Sequence, residues 1–129
     1  VLDNAALQSY KETILIESQS IGDTNFIELD MDAGNVFYTV LTEQVDTISF
    51  ANMVPGQSAT WIVKNHASSP KSITFTTVQI DLGSDIGYFQ GGIKPNNTEA
   101  NNALDIYTFF CYSTSIIYVM VSGMNFTAA

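Results

Sequence analysis

Apolar and polar residues alternate in short runs along most of this chain. The run from Phe26 to Asp32 shows this most clearly, because apolar residues at every second position are separated by acidic ones. Alternate side chains of a strand point to opposite faces of a sheet, so this period predicts β-strands rather than helices. On the same grounds, strands are predicted at residues 10–17, 26–31, 36–42, 46–50, 59–65 and 72–80.

The stretch between residues 103 and 126 departs from this alternation and predicts a β-hairpin. Two apolar runs, 106–112 and 116–121, are rich in β-branched and aromatic residues, and Ser113-Thr114-Ser115 separates them. Both faces of both runs are largely apolar, whereas a strand with one face in water would alternate. The hairpin is therefore expected at the centre of a sheet, or covered by a partner chain.

The overall pattern predicts a single all-β domain. Residues 81–102 hold half of the glycines and read as a long excursion with one short strand. Short strands separated by turns, such as the one at Pro55-Gly56, are typical of sandwiches and barrels. We predict an antiparallel, jelly-roll-like β-sandwich over residues 10–129, preceded by a short N-terminal arm at residues 1–9. That arm is rich in apolar residues, and Val1, Leu2 and Leu7 are the candidate tether to a larger assembly.

The acidic charge of the chain argues against nucleic acids and anionic membranes as partners. Thirteen carboxylates face four lysines and no arginine, which gives a net charge of −9. Nucleic acids and anionic membranes are bound through Lys and Arg, so neither is an expected partner. No apolar run reaches the eighteen residues of a membrane span. A single cysteine excludes an internal disulfide.

Candidate chemistry is sparse. His66 lies in a polar loop without a recognisable nucleophile motif, and Cys111 lies in the most apolar run, where a thiol behaves as a small buried hydrophobe. Glu28, Asp30 and Asp32 form a row that could suggest Ca²⁺, but residues two apart on a strand sit roughly 6.6 Å apart. A solvated strand face is favoured over a metal site. We predict no catalytic residues, no metal and no cofactor.

A series of short motifs, taken in order, resembles a small β-domain that is common in structural proteins of tailed bacteriophages, including tail-fibre-like and virion-surface proteins. These motifs are Leu29-Asp30-Met31-Asp32-Ala33-Gly34-Asn35-Val36-Phe37, Thr47-Ile48-Ser49-Phe50-Ala51-Asn52, Pro55-Gly56-Gln57, Gly91-Gly92-Ile93-Lys94-Pro95, Asp105-Ile106-Tyr107-Thr108-Phe109-Phe110 and Gly123-Met124-Asn125-Phe126. The resemblance extends from about Phe26 to Phe126. The chain departs from it in two places: Tyr88-Phe89-Gln90 replaces a Trp-Pro pair, and Ser113-Thr114-Ser115 replaces an Asp-Gly-Gly turn.

The resemblance implies a non-enzymatic virion protein exposed on the phage particle, as a capsid (head) decoration, a fibre or a tail-fibre component. Its expected partners are further copies of itself, with three-fold packing as the first hypothesis, and other virion proteins. The alternative is a carbohydrate- or receptor-binding module that contacts a host surface glycan, for which Tyr88 and Phe89 are the candidate contacts. Core or intersubunit positions are predicted at Trp61, Phe109, Phe110, Tyr112 and Tyr118. Of these, Trp61, Phe109 and Tyr118 are expected to be mostly buried, together with Phe37 and Phe50.

Overall fold

A computed structural model describes residues 14–15 and 25–128 of the chain, residues 14–15 through their backbone alone. These residues form nine strands and one short 3₁₀ helix. The strands are β1 (Ile14–Leu15), β2 (Phe26–Asp30), β3 (Val36–Val40), β4 (Val45–Ala51), β5 (Ser58–Lys64), β6 (Ile73–Ile80), β7 (Gly87–Phe89), β8 (Leu104–Ser113) and β9 (Ile116–Phe126). The 3₁₀ helix covers Gln90–Gly92. Within these residues no helix is long and apolar enough to cross a membrane.

The predicted all-β class is confirmed, and most of the predicted strands are present within a residue or two of their expected ends. β7 is the short strand expected in the glycine-rich excursion, and β8 and β9 are the predicted hairpin. Of the strand predicted over 10–17, the described part is β1. The predicted arm at residues 1–9 lies outside the described residues.

The strands form two sheets, and the chain passes back and forth between them. The larger sheet has the order β1-β3-β5-β8-β9-β7 and the smaller one the order β2-β4-β6. From β1 to β6, therefore, each strand lies in the sheet opposite to the strand before it. We call each pair of consecutive strands, one in either sheet, a coil. The three coils β1–β2, β3–β4 and β5–β6 stack on one another, and the hairpin of β8 and β9 then extends the larger sheet beyond the smaller one.

The predicted antiparallel, jelly-roll-like pairing is wrong for most neighbouring strands. The pairs β1–β3, β3–β5, β2–β4, β4–β6 and β7–β9 are parallel. Antiparallel pairing is found for β5–β8 and β8–β9. Parallel neighbours arise because each coil returns to the same sheet in the same direction as the coil before it.

One aromatic-rich core lies between the two sheets. Phe50 of the smaller sheet meets Phe109 of the larger one edge to face, with ring centroids 5.0 Å apart. Trp61 is fully buried beside them, and its indole N–H donates a hydrogen bond of 2.9 Å to the Thr39 hydroxyl. Burial of Phe37, Phe50, Trp61 and Phe109 confirms the core predicted from the sequence.

A bulge in β6 brings an additional aromatic ring into this core. The register with β4 shifts where Val45 pairs with Ile73 and Thr47 with Thr77. Phe75, inside the bulge, has a φ of 50°, a left-handed conformation that non-glycine residues seldom adopt. Its buried ring packs edge to face on Tyr107, at 5.2 Å between centroids. The bulge therefore directs Phe75 onto β8, and the same ring also meets Phe89 of β7 edge to face at 5.8 Å.

Candidate functional site: the outer face of the larger sheet

The hairpin has one face in the core and one face towards the outside. In β8, the buried residues Tyr107, Phe109 and Cys111 alternate with partly or fully exposed ones. In β9, Ile117 and Val119 are buried in the same alternating way. The sequence thus correctly predicted two apolar faces, and the outer one has no cover among the described residues.

We call the outward-pointing side chains of β3, β5, β8, β9 and β7 the aromatic face. Its members are Tyr38, Val40, Thr60, Ile62, Lys64, Ile106, Thr108, Phe110, Tyr112, Ile116, Tyr118, Met120, Ser122 and Tyr88.

Three tyrosines form a row across one end of the aromatic face. Tyr118 lies between Tyr112 and Tyr88, with ring centroids 5.9 and 6.4 Å away, and both contacts are edge to face. The exposed fractions of Tyr112, Tyr118 and Tyr88 are 61%, 41% and 53%. Each ring packs against a neighbouring ring, so the tyrosine row presents apolar surface together with phenolic hydroxyls.

Apolar surface continues from the hairpin into the neighbouring strands. Tyr38 of β3 pairs with Ile62 of β5, and Ile62 pairs with Ile106 of β8. Thr108 pairs with Met120, and the Thr108 hydroxyl shares a hydrogen bond of 2.6 Å with that of Ser122. Lys64 supplies the one charge among the members of the aromatic face. Single, scattered apolar residues are normal on a protein surface, whereas here they form one continuous apolar patch.

The outer surface of the smaller sheet has the opposite character. Glu28 is exposed and Asp30 is partly exposed. In the row of Glu28, Ser49 of β4 and Gln79 of β6 are polar as well, although both are buried. Hydrogen bonds from the Asn52 amide and the Asp32 backbone N–H hold the pKa of Asp30 below its ordinary value. None of the carboxylates of residues 25–128 is a member of the aromatic face: they are on the smaller sheet, in the connecting segments and, at Asp105, inside the fold.

Acid should weaken the fold partly through Asp46 on β4. Hydrogen bonds from Gln44, then Thr74 and Asn25, lower the pKa of Asp46. The stability this carboxylate provides is present above the unfolded-state pKa of about 3.9 and is lost as the pH falls through the lower folded-state pKa. We expect Asp46→Asn to lower stability at neutral pH and to make it fall less between neutral and acid pH. The effect should be small, because the group is partly exposed to solvent.

Urea unfolding at a series of pH values would measure this difference. Glu43→Gln, which changes an exposed carboxylate three residues before Asp46 in the sequence, is the matched control. An Asp46→Asn variant whose stability falls with pH as steeply as that of the unmodified chain would contradict the prediction.

A groove lies at the edge of the larger sheet, beside β7. It has a volume of about 240 Å³ and is lined by Phe89, Gln90, Ile93, Pro95, Val119, Met120 and Val121. Lys94 approaches the Phe89 ring at 5.9 Å from its centroid. β7 pairs with β9 over Ile117–Val119, so β9 continues past the end of β7 along this groove.

Tyr88 and Phe89, the predicted glycan contacts, lie on different surfaces. Tyr88 belongs to the tyrosine row, whereas Phe89 points inward and meets Phe75 edge to face at 5.8 Å. Adjacent residues of a strand face opposite ways, so the two rings do not form one binding surface. Of the pair, Tyr88 remains a candidate contact on the aromatic face, and Phe89 lines the groove.

The predicted core or intersubunit residues also divide between the two faces of the hairpin. Trp61 and Phe109 are buried in the core. Phe110, Tyr112 and Tyr118 point outward, and the expectation that Tyr118 is mostly buried is wrong. Their intersubunit role stays a prediction. Val1, Leu2 and Leu7, the predicted tether, lie outside the described residues.

His66 and Cys111, the two residues considered for chemistry, both take part in the packing and hydrogen bonding of the fold. The Nδ1 atom of His66 accepts hydrogen bonds from the backbone N–H groups of Ser68 and Ser69, at 3.1 and 2.9 Å. Cys111 is buried, and burial raises the pKa of its thiol, which keeps it protonated and unreactive at neutral pH. Within the described residues, no three His, Cys, Asp or Glu side chains come together as they would around a metal ion.

Asp105 is a feature that the sequence did not single out. It is 3% exposed, and its carboxylate accepts hydrogen bonds from the N–H and hydroxyl of Thr98 and from the N–H of Asn125, at 2.7, 2.8 and 2.9 Å. The Tyr107 hydroxyl donates a fourth hydrogen bond of 3.3 Å. One buried carboxylate thus joins the segment before β8 to the end of β9. An aspartate at the start of an otherwise apolar strand was the available signal.

No known protein family matches the chain, and neither a curated protein sequence nor a solved structure matches it. The resemblance to bacteriophage virion domains therefore stays a prediction.

Proposed function

We propose that this chain is a non-enzymatic structural subunit of a bacteriophage virion, exposed on the particle as a head decoration, a fibre or a tail-fibre component. The main support is the contrast between its two outer surfaces. The aromatic face carries a broad apolar surface with one charged residue, whereas the smaller sheet carries Glu28 and Asp30 on its outside. One surface suits burial against a neighbouring subunit and the other suits water.

A structural role also fits the reactive side chains of the described residues. The His66 ring accepts backbone hydrogen bonds within its own loop, and the Cys111 thiol is enclosed in the core. The His66 ring therefore stabilises its loop, and the Cys111 thiol fills space in the core. The order of short motifs that resembles virion domains supports the same role. Residues 1–9, including Val1, Leu2 and Leu7, are proposed as the attachment to the rest of the particle.

Electron microscopy of immunogold-labelled particles tests this function. An antibody raised against the purified chain is applied to intact particles of the phage that encodes it, with pre-immune serum as the control. We expect gold on the particle surface, and its position separates a head protein from a tail protein. Unlabelled particles, together with antigen found in the particle-free fraction of the infected host, would contradict the proposal.

The alternative function is recognition of a host surface glycan, and the tyrosine row favours it. Exposed aromatic rings offer flat apolar surface to a sugar ring, and the hydroxyls of Thr108 and Ser122 lie on the same face. A glycan array probed with the full chain tests this, with Tyr88→Ala as the variant. Leu82→Ala, which removes an exposed side chain elsewhere, is the control. Binding that both variants retain, or no binding at all, would exclude a glycan site at Tyr88.

A further inference from the structure

We infer that a second copy of this chain packs on the aromatic face, so that two larger sheets lie face to face in the assembled protein. The inference rests on the proposed structural function and identifies the surface and the partner through which subunits join.

The size of the aromatic face suits a stable contact between subunits. Five strands spaced about 4.8 Å apart span roughly 24 Å, and seven residues of strand extend for about 23 Å. The flat area is therefore on the order of 500–600 Å², and projecting side chains add to it. A standard protein interface buries about 800 Å² on each partner, so this face is close to the size that one stable contact requires.

The distribution of charge favours the aromatic face over the smaller sheet for contact between two copies. Two molecules of net charge −9 repel each other, and contact through the smaller sheet would bring Glu28 and Asp30 of both copies together. Contact through the aromatic face brings together aromatic, aliphatic and hydroxyl side chains. Apart from the buried Asp105, the carboxylates of residues 25–128 then stay outside the contact. Lys64 is the one charge that would approach this contact.

The chemistry of the face suits packing against a sheet of the same kind. Sheets stack about 10 Å apart when their facing side chains are apolar and of similar size. Tyrosines that face one another can bury their rings while each hydroxyl keeps a hydrogen-bond partner at the rim. Tyr118 packs against both other rings of the tyrosine row and is partly exposed, so a change at this residue affects all three rings of the contact.

The experiment is sedimentation equilibrium of the full chain at micromolar concentration, with Tyr118→Glu as the variant. We expect the unmodified chain to have twice the mass of one copy, which is 14.1 kDa. Tyr118→Glu should weaken association by roughly 30-fold or more, because it removes the ring that Tyr112 and Tyr88 pack against and places a charge in the contact. Leu82→Glu, which adds the same charge at an exposed apolar residue outside the aromatic face, should associate normally. Circular dichroism of each variant checks that it is folded.

Met120→Glu provides a second variant on the same face if Tyr118→Glu fails to fold. A mass of 14.1 kDa for the unmodified chain would overturn the inference. So would a folded Tyr118→Glu or Met120→Glu variant that associates as tightly as the unmodified chain. If particles carry gold but the chain is a monomer, the inference fails and the proposed function stands. If the chain associates through this face but particles carry no gold, the inference stands and the proposed function fails.

Discussion

Replacing Phe109 with alanine is expected to lower the free energy of unfolding by about 3–5 kcal/mol, the usual cost of removing a fully buried aromatic ring. Phe109 belongs to the larger sheet and contacts Phe50 of the smaller one at 5.0 Å between centroids. It also lies 6.4 Å from the Trp61 ring. The substitution therefore opens a cavity where the two sheets meet, and both sheets lose a packing partner.

Urea-induced unfolding followed by Trp61 fluorescence would measure this loss, because Trp61 is the one tryptophan and is buried in the same core. Phe110→Ala is the matched control, since it removes the same ring from the next residue, which points outward. Dilute protein keeps association from contributing. A loss below about 1 kcal/mol for Phe109→Ala would show that the hairpin does not form the centre of the core.

Replacing Asp105 with alanine should cost about 2–4 kcal/mol, because up to four hydrogen-bond donors lose their acceptor inside the protein. The Thr98 and Asn125 groups that donate to Asp105 lie on different segments, so the variant should also loosen the contact between them. Asp105→Asn should cost less, since its amide keeps one accepting oxygen.

Two measurements distinguish the role of Asp105 from a general loss of stability. Urea unfolding gives the free energy, and amide hydrogen exchange reports the protection of the Thr98 and Asn125 N–H groups. Asp32→Ala removes an exposed carboxylate and is the control. Unchanged exchange at both amides in Asp105→Ala would mean that the carboxylate does not hold these segments together.

The strands could be predicted from the sequence, but the direction of their pairing could not. Alternation marks a strand such as Phe26–Asp30 wherever one face is buried, whatever lies beside it. Short connections normally favour antiparallel neighbours, because parallel strands in one sheet need a long crossover. Here the crossover is itself a strand of the other sheet. Each connection is short, and the strands that pair are separated by a full coil.

Only part of the aromatic face could be predicted from the sequence. The hairpin showed two apolar faces, but periodicity does not tell which face the core covers. Tyr118 was therefore expected to be mostly buried, although it lies on the outer face. The tyrosine row was not predictable, because Tyr88 is brought beside Tyr118 by the parallel pairing of β7 with β9. The Asp105 contacts likewise depend on how β8, β9 and the preceding segment meet in three dimensions.

The parallel coils have a consequence for the kinetics of folding. Val36 pairs with Thr60 and Ile27 with Ile48, so each coil closes a loop of more than twenty residues, whereas Cys111 pairs with Ile117 across a tight turn. Hairpins form within microseconds and distant contacts form later, so β8 and β9 should pair while the coils are still open. During that interval both apolar faces of the hairpin are in water, where they can join other unfolded chains. The yield of refolding should therefore fall as protein concentration rises, and a yield independent of concentration would show that the coils close before chains meet.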